Sequence, residues 1–274
     1  MTQIKIASWN VNSVNARLEN LLFWLKESKP DVVLLQELKC VDEAFPSDVI
    51  SDLGYNIALN GQKTYNGVAI LSKFPIEDVK KNLPALNNEN DDQARYIEGI
   101  IALKNSAIRV ASIYVPNGGS ELLPGQKNNE AEKFIYKMKF FERLYLHFNN
   151  ILRHNEIAVF GGDYNVAANN IDVYDPVSLK NTVCFHHDEQ KHFNALLNLG
   201  YADSFRALNP QIQAFSWWDY RGNSWAYNKG MRIDYLLTSP FASDKLVKAY
   251  MEVKMMMERP KPSDHCPVIC VLEI

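Results

Sequence analysis

Apolar residues along this chain fall into two patterns. Short β-branched or apolar runs recur from end to end: "IKIAS", "DVVLLQ", "GVAILS", "IRVASIYV", "IAVFGG", "RIDYLLTS" and "CPVICVLEI". Their length and residue types predict strands, the last of them beginning at His265. Between them the spacing changes to that of a helix. Residues 14–29 place Val14, Leu18, Leu21, Leu22 and Leu25 on one face, with Ser13 in position to cap. Residues 130–153 repeat the pattern with Phe134, Met138, Phe141, Tyr145, Phe148 and Leu152, and residues 189–199 make a short helix that Gly200 can end. Helices and strands interleave, yet some strands follow one another with no room for a crossover helix. The expectation is therefore an α/β fold with a mixed sheet or two packed sheets. No repeat, low-complexity tract or linker divides the chain, so a single domain over residues 1–274 is expected.

The polar residues sit at the ends of these runs. "IKIASWNVN" leads into Asn10 and Asn12, "DVVLLQE" into Gln36 and Glu37, "IRVASIYVPN" into Tyr114 and Asn117, and "IAVFGGDYN" into Asp163 and Asn165. Two runs carry polar groups at their start instead: Asp234 in "RIDYLL", and Asp264 with His265 in "KPSDHCPV". If those two strands run antiparallel to the others, all these groups meet at one edge. Asp264 and His265 are adjacent, so an extended chain points them to opposite faces and each needs a different partner. Taken singly, the asparagines read as turn residues, Tyr114 as a half-buried strand aromatic and His265 as a satisfied core histidine. Asp234 is harder to dismiss, because a carboxylate within an apolar strand requires a partner. Gly161 and Gly162 before Asp163 suggest the close approach of another group.

Such a cluster narrows the chemistry. Oxygen donors without thiolates favour a hard cation, Mg²⁺ or Mn²⁺. Neither a GxSxG elbow nor a phosphate-cradling GxxxxGK[ST] loop is present. A cation, a carboxylate and an imidazole together suit hydrolysis of a phosphate ester by activated water.

Composition adds bounds. Hydrophobic residues make up 47% and charged residues 22%, as in a globular protein with a substantial core. The net charge of −3 means that any polyanion must be met by a local basic patch. The four cysteines form no CxxC pair, against a zinc site, and Cys266 and Cys270 read as small apolar strand residues. The N-terminus lacks the features of a signal peptide and no run is long enough to cross a membrane, so a cytoplasmic location is expected, with no membrane partner.

The motifs "WNVNS", "QELK", "YVPNG", "GGDYNVA", "RIDYLL" and "SDHCP" occur in an order and at intervals that resemble the exonuclease III family of abasic-site endonucleases, within the endonuclease/exonuclease/phosphatase superfamily. "YVPNG", "IDVYDP" and "FSWWDYR" carry the resemblance to the exonuclease III branch, and it spans essentially the whole chain. It implies a four-layer α/β sandwich, two mixed sheets face to face with helices outside. It implies Mg²⁺ held principally by Glu37 with Asn10 beside it, in a metal-side set that also includes Asp163, Asn165, Asp264 and His265. By the same resemblance Asp163 orients or activates water, Asn165 stabilises the transition state, and Tyr114 and Asn117 contact phosphate. His265 would bind the scissile phosphate, oriented by Asp234. Trp217, Met231 and Ile233 would line a pocket for an extruded deoxyribose, with Asn12 and Arg221 toward the DNA. The implied activity is Mg²⁺-dependent cleavage of double-stranded DNA 5′ to abasic sites, with 3′ exonuclease and 3′-phosphodiesterase action, by a monomer. Two alternatives remain at this point: a phosphodiesterase of the same superfamily acting on inositol phosphates or lipid headgroups, and a DNA-binding relative without catalysis. Two departures stand out. Leu38 occupies a position in "QELK" where a small hydroxyl residue is expected, and Ser120 follows "PNGG" where some relatives carry an Arg.

Overall fold

In the computed structural model, residues 2–86, 91–119 and 129–274 are described, so the departure at Ser120 lies outside them. In chain order the strands are β1 (Gln3–Asn10), β2 (Val32–Gln36), β3 (Asn56–Asn60), β4 (Val68–Ser72), β5 (Ile76–Lys81), β6 (Tyr96–Ala102), β7 (Ala107–Tyr114), β8 (Ala158–Asp163), β9 (Ala202–Asp203), β10 (Trp217–Trp218), β11 (Gly230–Met231), β12 (Asp234–Thr238), β13 (Leu246–Met251) and β14 (Val268–Glu273). The helices are α1 (Leu18–Ser28), α2 (Ser47–Ser51), α3 (Asn129–Leu152), α4 (His187–Asn198), α5 (Ser204–Leu208), α6 (Pro240–Ser243) and α7 (Val253–Met257).

Two six-stranded mixed sheets result, in the orders β13-β14-β1-β2-β4-β3 and β5-β6-β7-β8-β12-β9, with β10 and β11 as a separate ribbon. Each six-stranded sheet has one parallel pair, β1 with β2 and β7 with β8, and α1 and α3 are the crossovers those pairs require. Alternation along β1 and β2 explains the packing. Ile4, Ile6, Val32 and Leu34 face the opposite sheet, whereas Ala7, Trp9, Val33 and Leu35 face α1, where they meet Leu21, Trp24 and Leu25. The second sheet likewise turns Ala111, Ile113 and Phe160 toward α3 and α4. This is the expected four-layer sandwich of two sheets flanked by helices.

Several boundaries differ from the sequence expectation. Helix α1 starts at Leu18, not residue 14, because Asn12 and Ser13 take left-handed backbone angles (φ 46° and 86°) and turn the chain first. Its cap position is Arg17, with no side-chain cap from Ser13. Helix α3 buries Phe140, Phe141, Leu144, Phe148 and Ile151 and leaves Tyr145 exposed, so its inward face is rotated from the one the spacing predicts. The last strand starts at Val268, and His265 forms an isolated bridge to Trp217 instead. Cys266 and Cys270 are buried and free, as small apolar residues would be. Among the described residues, no helix is long and apolar enough to cross a membrane.

Candidate active site

The register brings the polar strand ends together. Asn10 at the end of β1 pairs with Gln36 at the end of β2, and Tyr114 at the end of β7 pairs with Asp163 at the end of β8. Strand β12 runs antiparallel to β8, so its first residue, Asp234, lies opposite Asp163. Strand β14 runs antiparallel to β1, which returns the chain before it to the same edge. Ser263 Oγ then donates to the Asn10 carbonyl at 2.7 Å and Trp9 Nε1 to the His265 carbonyl at 3.0 Å, fixing the Asp264–His265 step over the end of β1. Gln36 turns away from this edge, donating to Ser112 Oγ at 2.9 Å and tying the two sheets together beneath it.

Glu37, Asp163 and His265 form a cluster in which one ligand atom of each lies within 4.8 Å of the others. Asn10 spans the two carboxylates, its Nδ2 donating to Glu37 Oε1 at 2.8 Å and to Asp163 Oδ2 at 2.9 Å. Glu37 follows β2 in a left-handed conformation (φ 54°) that swings it out of the strand. Burial alone would raise its carboxyl, but Lys39, whose Nζ lies 2.8 Å from Oε2, and Asn10 outweigh burial and hold it below the usual carboxylate range. Asp163 is pushed the other way, because burial and the nearby Asp234 and Glu37 charges favour its proton. The backbone N–H of Asn165 aims the Asp163 carboxylate by donating to Oδ1 at 2.9 Å.

His265 is buried with its Nδ1 2.9 Å from Asp234 Oδ2 and its Nε2 3.8 Å from Asp163 Oδ2. Burial opposes its charge, but Asp234 and Asp163 outweigh burial and raise its pKa, so the imidazolium is favoured. Asp234 Oδ2 also accepts from Ser216 Oγ at 2.6 Å, while Asp234 Oδ1 is buried without a hydrogen-bond partner among the described residues. Asp264 points elsewhere, as its neighbour's position requires: Asn12 Nδ2 donates to Oδ1 at 2.9 Å and Trp217 Nε1 to Oδ2 at 3.1 Å. Both its oxygens are engaged, and it is not a member of the Glu37–Asp163–His265 cluster.

The amide residues are also tied. Asn165 Nδ2 donates to the Val115 carbonyl at 2.9 Å, and its Oδ1 accepts from Asn117 Nδ2 at 3.2 Å and from the Cys184 thiol at 3.5 Å. Tyr114 stays a phenol, because burial and the Glu37 and Asp163 charges raise its pKa, and the Arg95 guanidinium stacks 4.8 Å from its ring. Trp217, Met231 and Ile233 lie together: Met231 and Ile233 are in one buried cluster and Trp217 packs against it. Arg221 is the outlier, 90% exposed at its side chain and paired with Asp219 at 2.8 Å. Leu38 faces inward into the core beneath α1, so the position beside Glu37 contributes packing and no hydroxyl.

The sequence reading missed Lys39, Ser216, Cys184 and Lys137. Lys39 and Ser216 stand inside quoted motifs, "QELK" and "FSWWDYR", and polar residues within such motifs were the available signal. Nothing in the local sequence marks Lys137 or Cys184, which reach the site only through tertiary packing.

This fold and edge define a class of metal-assisted phosphodiester hydrolases, and the comparisons agree. A model described as the Endonuclease/Exonuclease/phosphatase family matches residues 7–265, and the chain belongs to that family. Exodeoxyribonuclease III of Haemophilus influenzae is 31% identical over 272 residues, which cover 97% of this chain and 98% of that protein. An AP endonuclease from Archaeoglobus fulgidus superposes with a TM-score of 0.88 at 34% identity, covering 99% of this chain and 100% of the other. A 3′ phosphatase from Neisseria, solved with a product DNA hairpin, superposes with a TM-score of 0.89 at 33% identity over 99% and 100% of the two chains. Within the family this chain is of the exodeoxyribonuclease III type, a nuclease.

Proposed function

We propose that this nuclease is a Mg²⁺-dependent DNA-repair enzyme, with Mn²⁺ able to replace Mg²⁺. It cleaves double-stranded DNA 5′ to abasic sites and removes nucleotides or blocking groups from 3′ ends. The observation that carries the reading is the meeting of a half-buried Glu37 with buried Asp163 and an Asp234-backed, buried His265, with Asn10 spanning the carboxylates. The relatives named for AP sites and for 3′ ends support the substrate class. We assign it to the cytoplasm as a monomer.

The donor set fits a hard divalent cation. It offers carboxylate oxygens and no thiolate, and Glu37 is ionised because Lys39 and Asn10 more than offset its burial. Glu37 and Asp163 would hold the ion, with Asn10 beside them, and the ion supplies neutralisation of phosphoryl charge when bound. The chain's own groups do the rest. Asp163 has a raised proton affinity, which matches it to orienting water and taking its proton near neutral pH. His265, as an imidazolium, offers Nε2–H to a phosphate oxygen, and Asp234 holds the other ring nitrogen. Tyr114, kept as a phenol, offers a second donor on the phosphate side, and Asn117, whose amide donates to Asn165 Oδ1, would contact phosphate beside it. Trp217, Met231 and Ile233 form an apolar wall suited to a base-free sugar, tied to Asp264 through the Trp217 indole. Asn12, which holds Asp264, shares the DNA side with the exposed Arg221.

The test is an end-labelled duplex with one abasic analogue. Cleavage should stop in EDTA and return with Mg²⁺ or Mn²⁺, and Glu37→Gln should raise the metal concentration needed. Asp163→Asn should cut turnover about a thousandfold while leaving duplex affinity unchanged or tighter. Full cleavage in chelator, or near-normal turnover by Asp163→Asn, would overturn the assignment.

A further inference from the structure

Beneath the site lies a lysine that no catalytic step uses. Lys137, in the third turn of α3, is completely buried. Its Nζ reaches the Asn165 carbonyl at 2.7 Å, the Asn117 carbonyl at 3.1 Å and Glu189 Oε1 at 2.5 Å. An ammonium has three protons, so every donor is used. Its stem lies against Gly118, where an added Cβ would stand 2.9 Å from Lys137 Cδ. Glu189 Oε2 in turn accepts from the His186 backbone N–H at 3.0 Å, which anchors the start of α4 to the same ammonium.

A buried ion pair is weak evidence for stability, since desolvation offsets most of the attraction. Two of the three acceptors here are peptide carbonyls of residues at the candidate site. Asn165 has a left-handed backbone (φ 51°), and its N–H aims Asp163 Oδ1. Asn117 Nδ2 donates to Asn165 Oδ1, so the segments that follow β7 and β8 are joined at their side chains as well as through the lysine.

We infer that Lys137 is a positioning residue. It clamps the peptides of Asn117 and Asn165 from below and so sets the direction in which Asp163 presents its carboxylate to water. This rests on the reading of Asp163 as the water-activating group. Removing the lysine frees the Asn165 carbonyl and lets the turn at residues 163–165 relax, and misplacement of a reacting group by an ångström is enough to lower turnover by about a hundredfold.

The test uses the full-length chain carrying Lys137→Met with Glu189→Gln, which removes both charges and leaves no buried carboxylate unpaired. Lys137→Met alone is the harsher variant and serves to show what the orphaned Glu189 costs in melting temperature. The expected result for the double variant is a melting temperature near that of the parent, a single-turnover cleavage rate lower by about a hundredfold, and an abasic-duplex KM within a few fold of normal. In an Asp163→Asn background the same pair of changes should cost almost nothing further, since the group it aims is already gone. A folded double variant with full turnover overturns the inference, as does one whose activity falls only in proportion to lost folded protein. Asp163→Asn separates the two ideas. If it stays active, the reading of Asp163 fails and takes this inference with it; if it is inactive while the lysine variant is fully active, only the inference fails.

Discussion

At the scale of single residues, the informative unit is Ser216, Asp234 and His265. Ser216 Oγ also accepts from the backbone N–H groups of Ile233 and Asp234, both at 3.1 Å, so the hydroxyl is held and its proton goes to Asp234 Oδ2. One oxygen of Asp234 therefore serves both Ser216 and His265, and the ring cannot turn without breaking a charge-assisted bond. Groups that act as a unit give losses that do not multiply. His265→Ala and Asp234→Ala should each lower turnover strongly, and the double mutant should be scarcely worse than His265→Ala alone. A double-mutant cycle on abasic-duplex cleavage at fixed Mg²⁺ and salt measures this, and fully multiplicative losses would mean that Asp234 does not act through the imidazole. The adjacency of Asp264 and His265 was readable in the sequence as two residues with different partners. The identity of Asp264's partners, Asn12 and Trp217, was not, because they lie 252 and 47 residues away.

At the scale of elements, β8 shows why two glycines precede Asp163. A Cβ on Gly162 would lie 2.0 Å from the Ile113 carbonyl oxygen on the parallel neighbour β7. A Cβ on Gly161 would lie 2.6 Å from Leu34 Cδ1 in the opposite sheet. The glycines let β8 sit close to both, which sets the depth at which Asp163 emerges. Gly162→Ala should therefore force the backbone of β7 or β8 to move, costing about 3 kcal/mol and displacing Asp163. Thermal unfolding and single-turnover cleavage together check it, and a variant with parental melting temperature and rate would show that the strands absorb the methyl group. The close approach was legible from "GGD" alone. The inward face of α3 was not, because its apolar residues are dense enough to offer more than one stripe, and contact with β7, β8 and α4 selects the one around Phe141, Leu144 and Phe148.

At the scale of the whole molecule, a buried carboxylate helps to hold the outer helix to the second sheet. Glu98 on β6 accepts from the Tyr96 hydroxyl at 2.6 Å and from Arg109 on β7 at 3.2 Å, and it meets His147 Nε2 of α3 at 2.7 Å. Burial would raise its pKa, but His147, Tyr96 and Arg109 outweigh burial and lower it from 4.5 to about 2. A group that ionises more readily when folded stabilises the fold above its unfolded pKa and loses that contribution as pH falls through the folded value. The stabilisation from Glu98 is thus complete at neutral pH and disappears as the pH falls from about 4.5 toward 2. Glu98→Gln should cost about 2 kcal/mol at pH 7, with the gap to the parent closing over that acid range. Melting temperatures of both proteins at a series of pH values measure it, and a gap that is constant with pH would show that the ionised form gains nothing from these partners.

Within this protein the sequence alone determined what is local or periodic. Seven of the strand cores, the three longest helices and the polar residues at strand ends could be read directly, because backbone sterics and burial act on neighbouring residues at periods of two and 3.6. It also carried the motifs whose resemblance implied the sandwich fold and the site. Tertiary structure alone decided which atoms meet. The antiparallel register of β12 on β8 places Asp234 against Asp163, and that of β14 on β1 returns His265 to the same edge. Left-handed turns at Asn12 and Ser13 delay α1, and packing of α3 brings Lys137 under Asn117 and Asn165. These outcomes depend on contacts between residues far apart in the chain, whose free energies are set by which surfaces exclude water together and which buried polar groups find partners.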